Sequence, residues 1–534
     1  MKGGSFQMSK KTTKKRSAKS VLSAIAIVLA LVIIVGVVAI YSIADSGFVQ
    51  RNQVAMKSDN YEVSSAMMNY YFNTLYQSYS SSVTSMGLDT AKPLDQQEYT
   101  KGTTWYDYFM DMTKSQVRQL LVLAEAAKAE GFKLDDVEKT DSHDHSAKAT
   151  LDEIETYAKA FGVTLDYYLQ ATYGKGVNEK VFTECYELSE IASHYSEHMK
   201  SRYTFEKADW DKYYEENKDS FNKVDYLTYT FKVEATKLDK DATEDDKAAA
   251  EAIDKAAAAE LKPLSAELAA TTTADSFKAY VENYLKTNLY KDKTEEELKK
   301  EKIDIAEIVS DCLVEGATNS SESDLNKWLF DEKRNANDTD VVDAKDGLSF
   351  TVYMILPVAD TEDLGLACIY RDTYKLKDVR FIPFLNSDYK DNAADAKAAA
   401  DKVLAEYKDD ATEANFIELA SPEKYGNENY VDGLLEGIDK GAIGEEVDAW
   451  LYDSARKKGD CEVIQVEDSG SFLIYYIGDN EVKWEVQADQ SLKNDKYTEE
   501  YEALEDKYVV KANSKGIGLV SEIVIGSSSS SSSK

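Results

Sequence analysis

The chain is poor in the residues that punctuate helices and in those that do chemistry. Proline occurs five times in 534 residues, so little interrupts helix formation. The four cysteines, Cys185, Cys312, Cys368 and Cys461, form no CxxC pair, which excludes a zinc ribbon and a thioredoxin motif. Outside a cell, four cysteines allow three full disulfide pairings; the other reading is isolated, mostly buried thiols. Histidine also occurs only four times, and no phosphate loop, nucleophile elbow or metal-carboxylate loop is present, so no cofactor or catalytic residue is expected. Lys and Arg number 63 against 98 Asp and Glu, a net charge of −35. Nucleic-acid binding needs clustered cations that neutralise phosphates, and this balance argues against such a partner.

What is present begins with an apolar run. Val21 to Ile43 carries no charge, and its 23 residues suffice to cross a hydrocarbon core about 30 Å thick. Seven cations and no acid precede it: Lys2, Lys10, Lys11, Lys14, Lys15, Arg16 and Lys19. The positive-inside rule then predicts a single-pass anchor over 21–43, with residues 1–20 cytoplasmic and the bulk of the chain extracellular. Cleavage after Ala44 is the rival reading, but a signal peptide's apolar stretch is shorter, about 7–15 residues. The whole chain's −35 less those seven positive charges leaves −42 on the external part. Length suggests two to four domains.

Residues 44–222 read as a helical domain. Tyr61, Val63, Met67, Met68, Tyr71, Phe72 and Leu75 have helical spacing. Trp105–Phe132 has an apolar stripe of Val117, Leu120, Leu121, Leu123 and Ala124, ended by Gly131. Leu151–Phe161, Val177–Tyr203 and Asp209–Asn217 read as further helices. At Val224 the period changes to that of a strand, Val224–Val233, rich in β-branched and aromatic residues. A helical stretch from Ala248 to Ala270 follows, broken near Pro263.

An internal repeat comes next. Trp328-Leu-Phe-Asp331-Glu-Lys-Arg334 returns 122 residues later as Trp450-Leu-Tyr-Asp453-Ser-Ala-Arg456. The same ungapped offset pairs Asp338 with Asp460, Val341 with Val463, Asp346 with Asp468, Phe350 with Phe472 and Tyr353 with Tyr475. Each unit opens with a strand, continues through two helices and closes on a strand, placing repeats at 223–358 and 378–480. Such a run predicts an α+β class. Residues 481–513 read as one more helix, and 514–534 as a Ser-rich disordered tail: a short apolar piece, Ile517 to Ile525, and then Ser527 to Ser533, a tract that cannot bury apolar surface.

Several stretches resemble the extracytoplasmic foldases of the SurA and PrsA type. Ala126-Ala-Lys-Ala-Glu-Gly131-Phe is similar to the end of the long helix in their N-terminal domain, and Asp211-Lys-Tyr-Tyr-Glu-Glu-Asn217-Lys-Asp-Ser-Phe221 to the segment ahead of a parvulin domain. In the second repeat, Asn415-Phe-Ile-Glu-Leu-Ala420, Val431-Asp-Gly433-Leu-Leu-Glu-Gly437 and Gly459-Asp460 resemble successive parvulin motifs. The resemblance implies an N-terminal transmembrane helix, a helical chaperone domain, two tandem parvulin-like α+β domains and a C-terminal helix that returns to the helical domain. It also implies a bacterial membrane-anchored chaperone for secretion, whose partners are unfolded or nascent exported polypeptides. Parvulin peptidyl-prolyl isomerases place a histidine on the first strand and another on the last. Here those strands carry Phe381 and Pro383, and Phe472-Leu-Ile-Tyr475, so both units are expected to lack the histidine chemistry. Two alternatives stand beside this reading: an envelope scaffold that binds one folded partner, and an active isomerase that works through pocket shape alone.

Trp328, Phe330, Phe350, Trp450, Tyr452 and Phe472 are the candidate client-binding residues, because aromatics supply large contact area; the other reading is that they anchor a repeated core. His194-Tyr-Ser-Glu197-His198 matches the inverted zinc-protease pattern, but its polar surroundings favour a solvated helix face and no metal. His143 and His145 fall in a polar break.

Overall fold

The computed structural model describes residues 47–134, 147–238, 243–321, 323–358, 363–390, 392–426 and 430–523. The run 21–43 and the pair His143 and His145 lie outside them. Among the described residues no helix is long and apolar enough to cross a membrane. The architecture is mixed α+β with four small sheets. The described residues divide into two compact units: those up to Thr204 with those of Lys377–Asn480 and from Gln490 onward, and those of Phe205–Leu376 with Glu481–Asp489.

In the first unit, strands β1 (Val54–Lys57) and β2 (Glu62–Ser64) lead into helix α1 (Ser65–Val83). Ser64 caps α1 by accepting the Met67 N–H. Helix α2 (Trp105–Glu130) starts with a capping box of Thr104 and Asp107 and stops at Gly131, whose φ of 75° is the left-handed conformation glycine tolerates. Helices α3 (Ala147–Ala160), α4 (Leu165–Tyr173) and α5 (Glu179–Ser201) complete the bundle. Met68, Phe72, Phe109, Leu121 and Phe182 are among its buried core residues. The sequence placed the start of the first helix over Tyr61 and Val63; the structure makes 62–64 a strand, because β2 pairs with β1.

The first repeat belongs to the second unit. Helix α6 (Lys207–Glu216) joins it, so the boundary falls ahead of this helix and not at 222. The reason is packing: Tyr214 and Phe221 share a core with Trp484 and Ala488. Strand β3 (Lys223–Lys232) is followed by α7 (Glu244–Ala269) and α8 (Ala274–Tyr284), then β4 (Leu313–Thr318), α9 (Asp324–Leu329), β5 (Thr339–Asp343) and β6 (Ser349–Ile355). The expected break near Pro263 does not occur; α7 runs through it. One missing N–H removes one helical bond, while the Thr243–Asp246 capping box and the burial of Ala250, Ala258 and Leu268 hold the remaining turns.

The second repeat comprises β7 (Lys375–Leu385), α10 (Ala393–Asp409), α11 (Glu413–Leu419), β8 (Leu434–Ile438), α12 (Glu445–Leu451), β9 (Cys461–Val466) and β10 (Gly470–Val482). Strand order is β4-β3-β6-β5 in the first repeat and β8-β7-β10-β9 in the second. The two sheets therefore share one topology, with first and last strands side by side in the centre. Local contacts repeat too. Arg334 Nε donates to Trp328 O at 3.0 Å and Arg456 Nε to Trp450 O at 3.0 Å. Asp225 accepts the Gly316 N–H at 2.7 Å, and Asp378 accepts the Gly437 N–H at 2.8 Å.

Helix α13 (Lys483–Lys507) follows. In the first unit, Tyr203 donates to Glu500 at 2.8 Å and Lys200 sits 4.9 Å from the Tyr497 ring centre. Strand β11 (Lys511–Ala512) then pairs with β1, and helix α14 (Ser514–Ile517) packs beside it. Residues 514–523 are thus part of the fold, where the sequence placed the start of a tail. Gly516 permits this, since a Cβ there would meet Val54 O at 2.3 Å.

Candidate functional site

Each repeat sheet has two faces. One is covered by the long helices: Leu227, Phe231, Val352 and Met354 in the first repeat, and Ile382, Phe384, Leu473 and Tyr475 in the second. The other carries the tryptophan helix: Val224, Leu329, Ile355 and Trp328 in the first, and Val379, Phe381, Trp450, Phe472 and Ile474 in the second.

The six candidate aromatics do not form one surface. Trp328 and Phe330 are half-buried on the tryptophan face of the first repeat. Trp450 and Phe472 are buried on the corresponding face of the second, and Tyr452 packs half-buried against them. Phe350 is buried on the opposite face of its sheet, under the ammonium group of Lys262. The ungapped equivalence of Phe350 with Phe472, and of Tyr353 with Tyr475, therefore fails in space. Asp343 faces Phe350, so the offset of 122 puts Gln465 opposite Phe472; in fact Gln465 faces Ser471. The left-handed turn residue shifts likewise, from Gly347 (φ 70°) to Asp468 (φ 63°). The second hairpin is one residue shorter than the first, and a one-residue slip moves every later side chain to the other face.

On the tryptophan face of the second repeat, Phe381 stacks on Phe472 with ring centres 5.3 Å apart and planes 17° apart, and Tyr430 meets Phe381 edge-on at 5.6 Å. On this face the first and last strands thus meet through two hydrocarbon rings, which neither donate nor accept a proton. Trp450 is fixed at both ends. Its Nε1 donates to Glu462 at 2.7 Å, and the Arg456 guanidinium lies 3.9 Å from its ring centre. Nearby, burial raises the Asp448 carboxyl pKa above its usual range. Its Oδ2 accepts the Gly441 N–H at 2.6 Å, and its buried Oδ1 has no partner. Glu413 behaves oppositely. Burial pushes its carboxyl up, but Lys458 and Arg380, at 3.2 Å each, more than reverse this and hold it low.

The sequence reading missed a cleft of ≈ 360 Å³ in the second unit, lined by Tyr214, Asn222, Leu364, Leu366, Asp363 and Arg371 among others. The Arg371 guanidinium sits 3.8 Å from the Trp484 ring centre and 4.3 Å from that of Tyr214, and forks onto Asp363 with two bonds of 2.7 Å. Residues Cys368 and Ile369 pack into the tryptophan face of the first repeat. Residues 363–371 therefore form a clasp within the second unit. No periodic pattern marks it, because its contacts come from elements far apart in sequence.

Histidine 194 lies 3.3 Å from Glu190 and 3.4 Å from Glu197, and the His198 ring packs at 5.2 Å on Phe132. Among the described residues no group of three His, Cys, Asp or Glu could hold a metal ion. All four cysteines are free. Burial drives the Cys312 and Cys368 thiols up to about 11 and that of Cys461 to about 12.

No protein-family model matches the chain, and no curated protein matches it either.

Proposed function

We propose that the protein is a membrane-anchored extracytoplasmic chaperone of the SurA and PrsA kind, holding unfolded exported polypeptides on the outer face of a membrane. The helical lobe does the holding. The two repeats are parvulin-like modules without isomerase chemistry, serving as spacers and secondary contacts. The observation that carries the reading is the strand order shared by both repeats, with first and last strands side by side at the centre of each sheet. By the resemblance these two strands would carry the parvulin histidines; the first has Phe381 and Pro383, and the last has Phe472-Leu-Ile-Tyr475, with Leu473 where its histidine would stand. Support also comes from the C-terminal helix, which meets the helical lobe through Tyr203 and Lys200.

The test uses the chain from Asp45 onward with an exported client whose refolding is limited by a slow proline step. The expected result is a higher refolding yield with an unchanged rate for that phase. A catalytic acceleration, or no effect on yield, overturns the reading.

A further inference from the structure

We infer that helix α1 and the end of α4 form a groove that reads the backbone of an extended polypeptide, and that residues 519–523 of the chain occupy it in cis. Two asparagines one helical turn apart on α1 do the reading. Asn69 and Asn73 are both fully buried. Asn69 Oδ1 accepts the Ser521 N–H at 3.0 Å, and Asn73 Oδ1 accepts the Ile523 N–H at 2.8 Å. Asn73 Nδ2 donates to Ser521 O at 3.1 Å. The spacings match: four helical residues rise about 6 Å, and two extended residues span about 6.6 Å. A helix with amides at i and i+4 can therefore bond alternate residues of a strand laid along it.

The groove is built for this. Asn69 Nδ2 is held by Lys175 O at 2.7 Å, and Asn73 Nδ2 also donates to Tyr173 O at 3.1 Å, which fixes both amides with their oxygens free for the incoming chain. Gly174 leaves the space, because a Cβ there would come within 2.7 Å of Asn73 Nδ2. Tyr106 donates to Val520 O at 2.8 Å. Among the segment's side chains Val520 goes deep, 6 % exposed and part of the core, while Ser521 is exposed and Glu522 accepts the Leu94 N–H at 3.3 Å. Main-chain bonds give affinity without regard to sequence, and alternate pockets give a mild preference. The segment that fits is extended, with an apolar residue at the Val520 position and free N–H groups one and three residues later.

The proposal rests on the chaperone reading only for the identity of the occupant in trans, a stretch of unfolded exported chain. A tethered segment competes at an effective concentration in the millimolar range, so the cis segment acts as a placeholder that a client must displace.

The probe is a fluorescein-labelled peptide of the sequence Leu519–Ile525, followed by anisotropy. The full chain is compared with a variant ending at Gly518. Binding at least about tenfold tighter to the shortened variant is expected. The same peptide N-methylated at the positions of Ser521 and Ile523 is expected to lose that binding, as is the shortened variant carrying Asn69→Leu and Asn73→Leu. Equal binding of the methylated peptide overturns the proposal. A second measurement needs no truncation: hydrogen exchange at 519–523 in the full chain rises when excess unfolded client is bound, and unchanged exchange with bound client overturns displacement. The two readings fail separately. Backbone-dependent capture of the peptide by a chain that ignores unfolded clients sinks the chaperone reading alone, whereas client protection without peptide capture sinks the groove.

Discussion

Replacing Arg371 by Met should loosen the clasp within the second unit. The guanidinium side chain is only 11 % exposed and forks onto Asp363, while its faces meet the rings of Trp484 and Tyr214. A hydrogen-bonded charge contributes roughly 1.5–3 kcal/mol, and each partly desolvated cation–π contact about 0.5–1 kcal/mol. Met refills the volume but restores neither term, so a loss of about 3 kcal/mol is expected for the second unit. Lysine keeps the charge but not the fork or the stacking, and should recover less than half of it. The assay is hydrogen exchange over 207–216 and 363–372, beside urea unfolding. Protection in both segments should fall by about a hundredfold, since 1.4 kcal/mol is a factor of ten. Unchanged protection in Arg371→Met would refute the reasoning, and so would full rescue by lysine.

Three further outcomes are expected. Asp448→Asn should unfold at higher urea than the wild type at pH 7. The raised folded pKa means that the acid's stability is full when it is protonated and lost as pH rises through that value, so the gap should close as pH falls toward 4; a wild type that is the more stable at pH 7 would contradict this. Trp450→Ala should cost about 3–5 kcal/mol in the second repeat, and Trp328→Ala clearly less, because Trp328 is only half-buried; urea midpoints that shift equally would show that the two faces are not packed as described. A thiol reagent at pH 8 should label none of the four cysteines in the native chain over the time in which the urea-unfolded chain is fully labelled, since burial holds Cys312, Cys368 and Cys461 far from thiolate; a prompt single-site reaction would show an open thiol.

The helices of the first unit were legible because their signals are local. Trp105–Glu130 carries its own cap, stripe and glycine stop, and the burial that the stripe demands is the burial found. The repeat was legible for a similar reason: the Trp–Arg unit encodes a self-contained turn whose carbonyl-to-guanidinium bond forms in both copies. What failed was the alignment past the hairpin. The sequence match of Phe350 with Phe472 looks like an equivalence, yet strand pairing sets which face a residue joins, and pairing depends on the partner strand.

The α+β class was legible in the sequence alone, because periodicity and caps act within a few residues; of the four strands in each repeat it gave only the first and last. Tertiary structure decided the rest. It chose the face of each late-strand side chain, closed the Arg371 clasp from segments more than a hundred residues apart, and laid 519–523 along Asn69 and Asn73. Those features consist of long-range hydrogen bonds and ring contacts, whose partners leave no mark on each other in the linear chain.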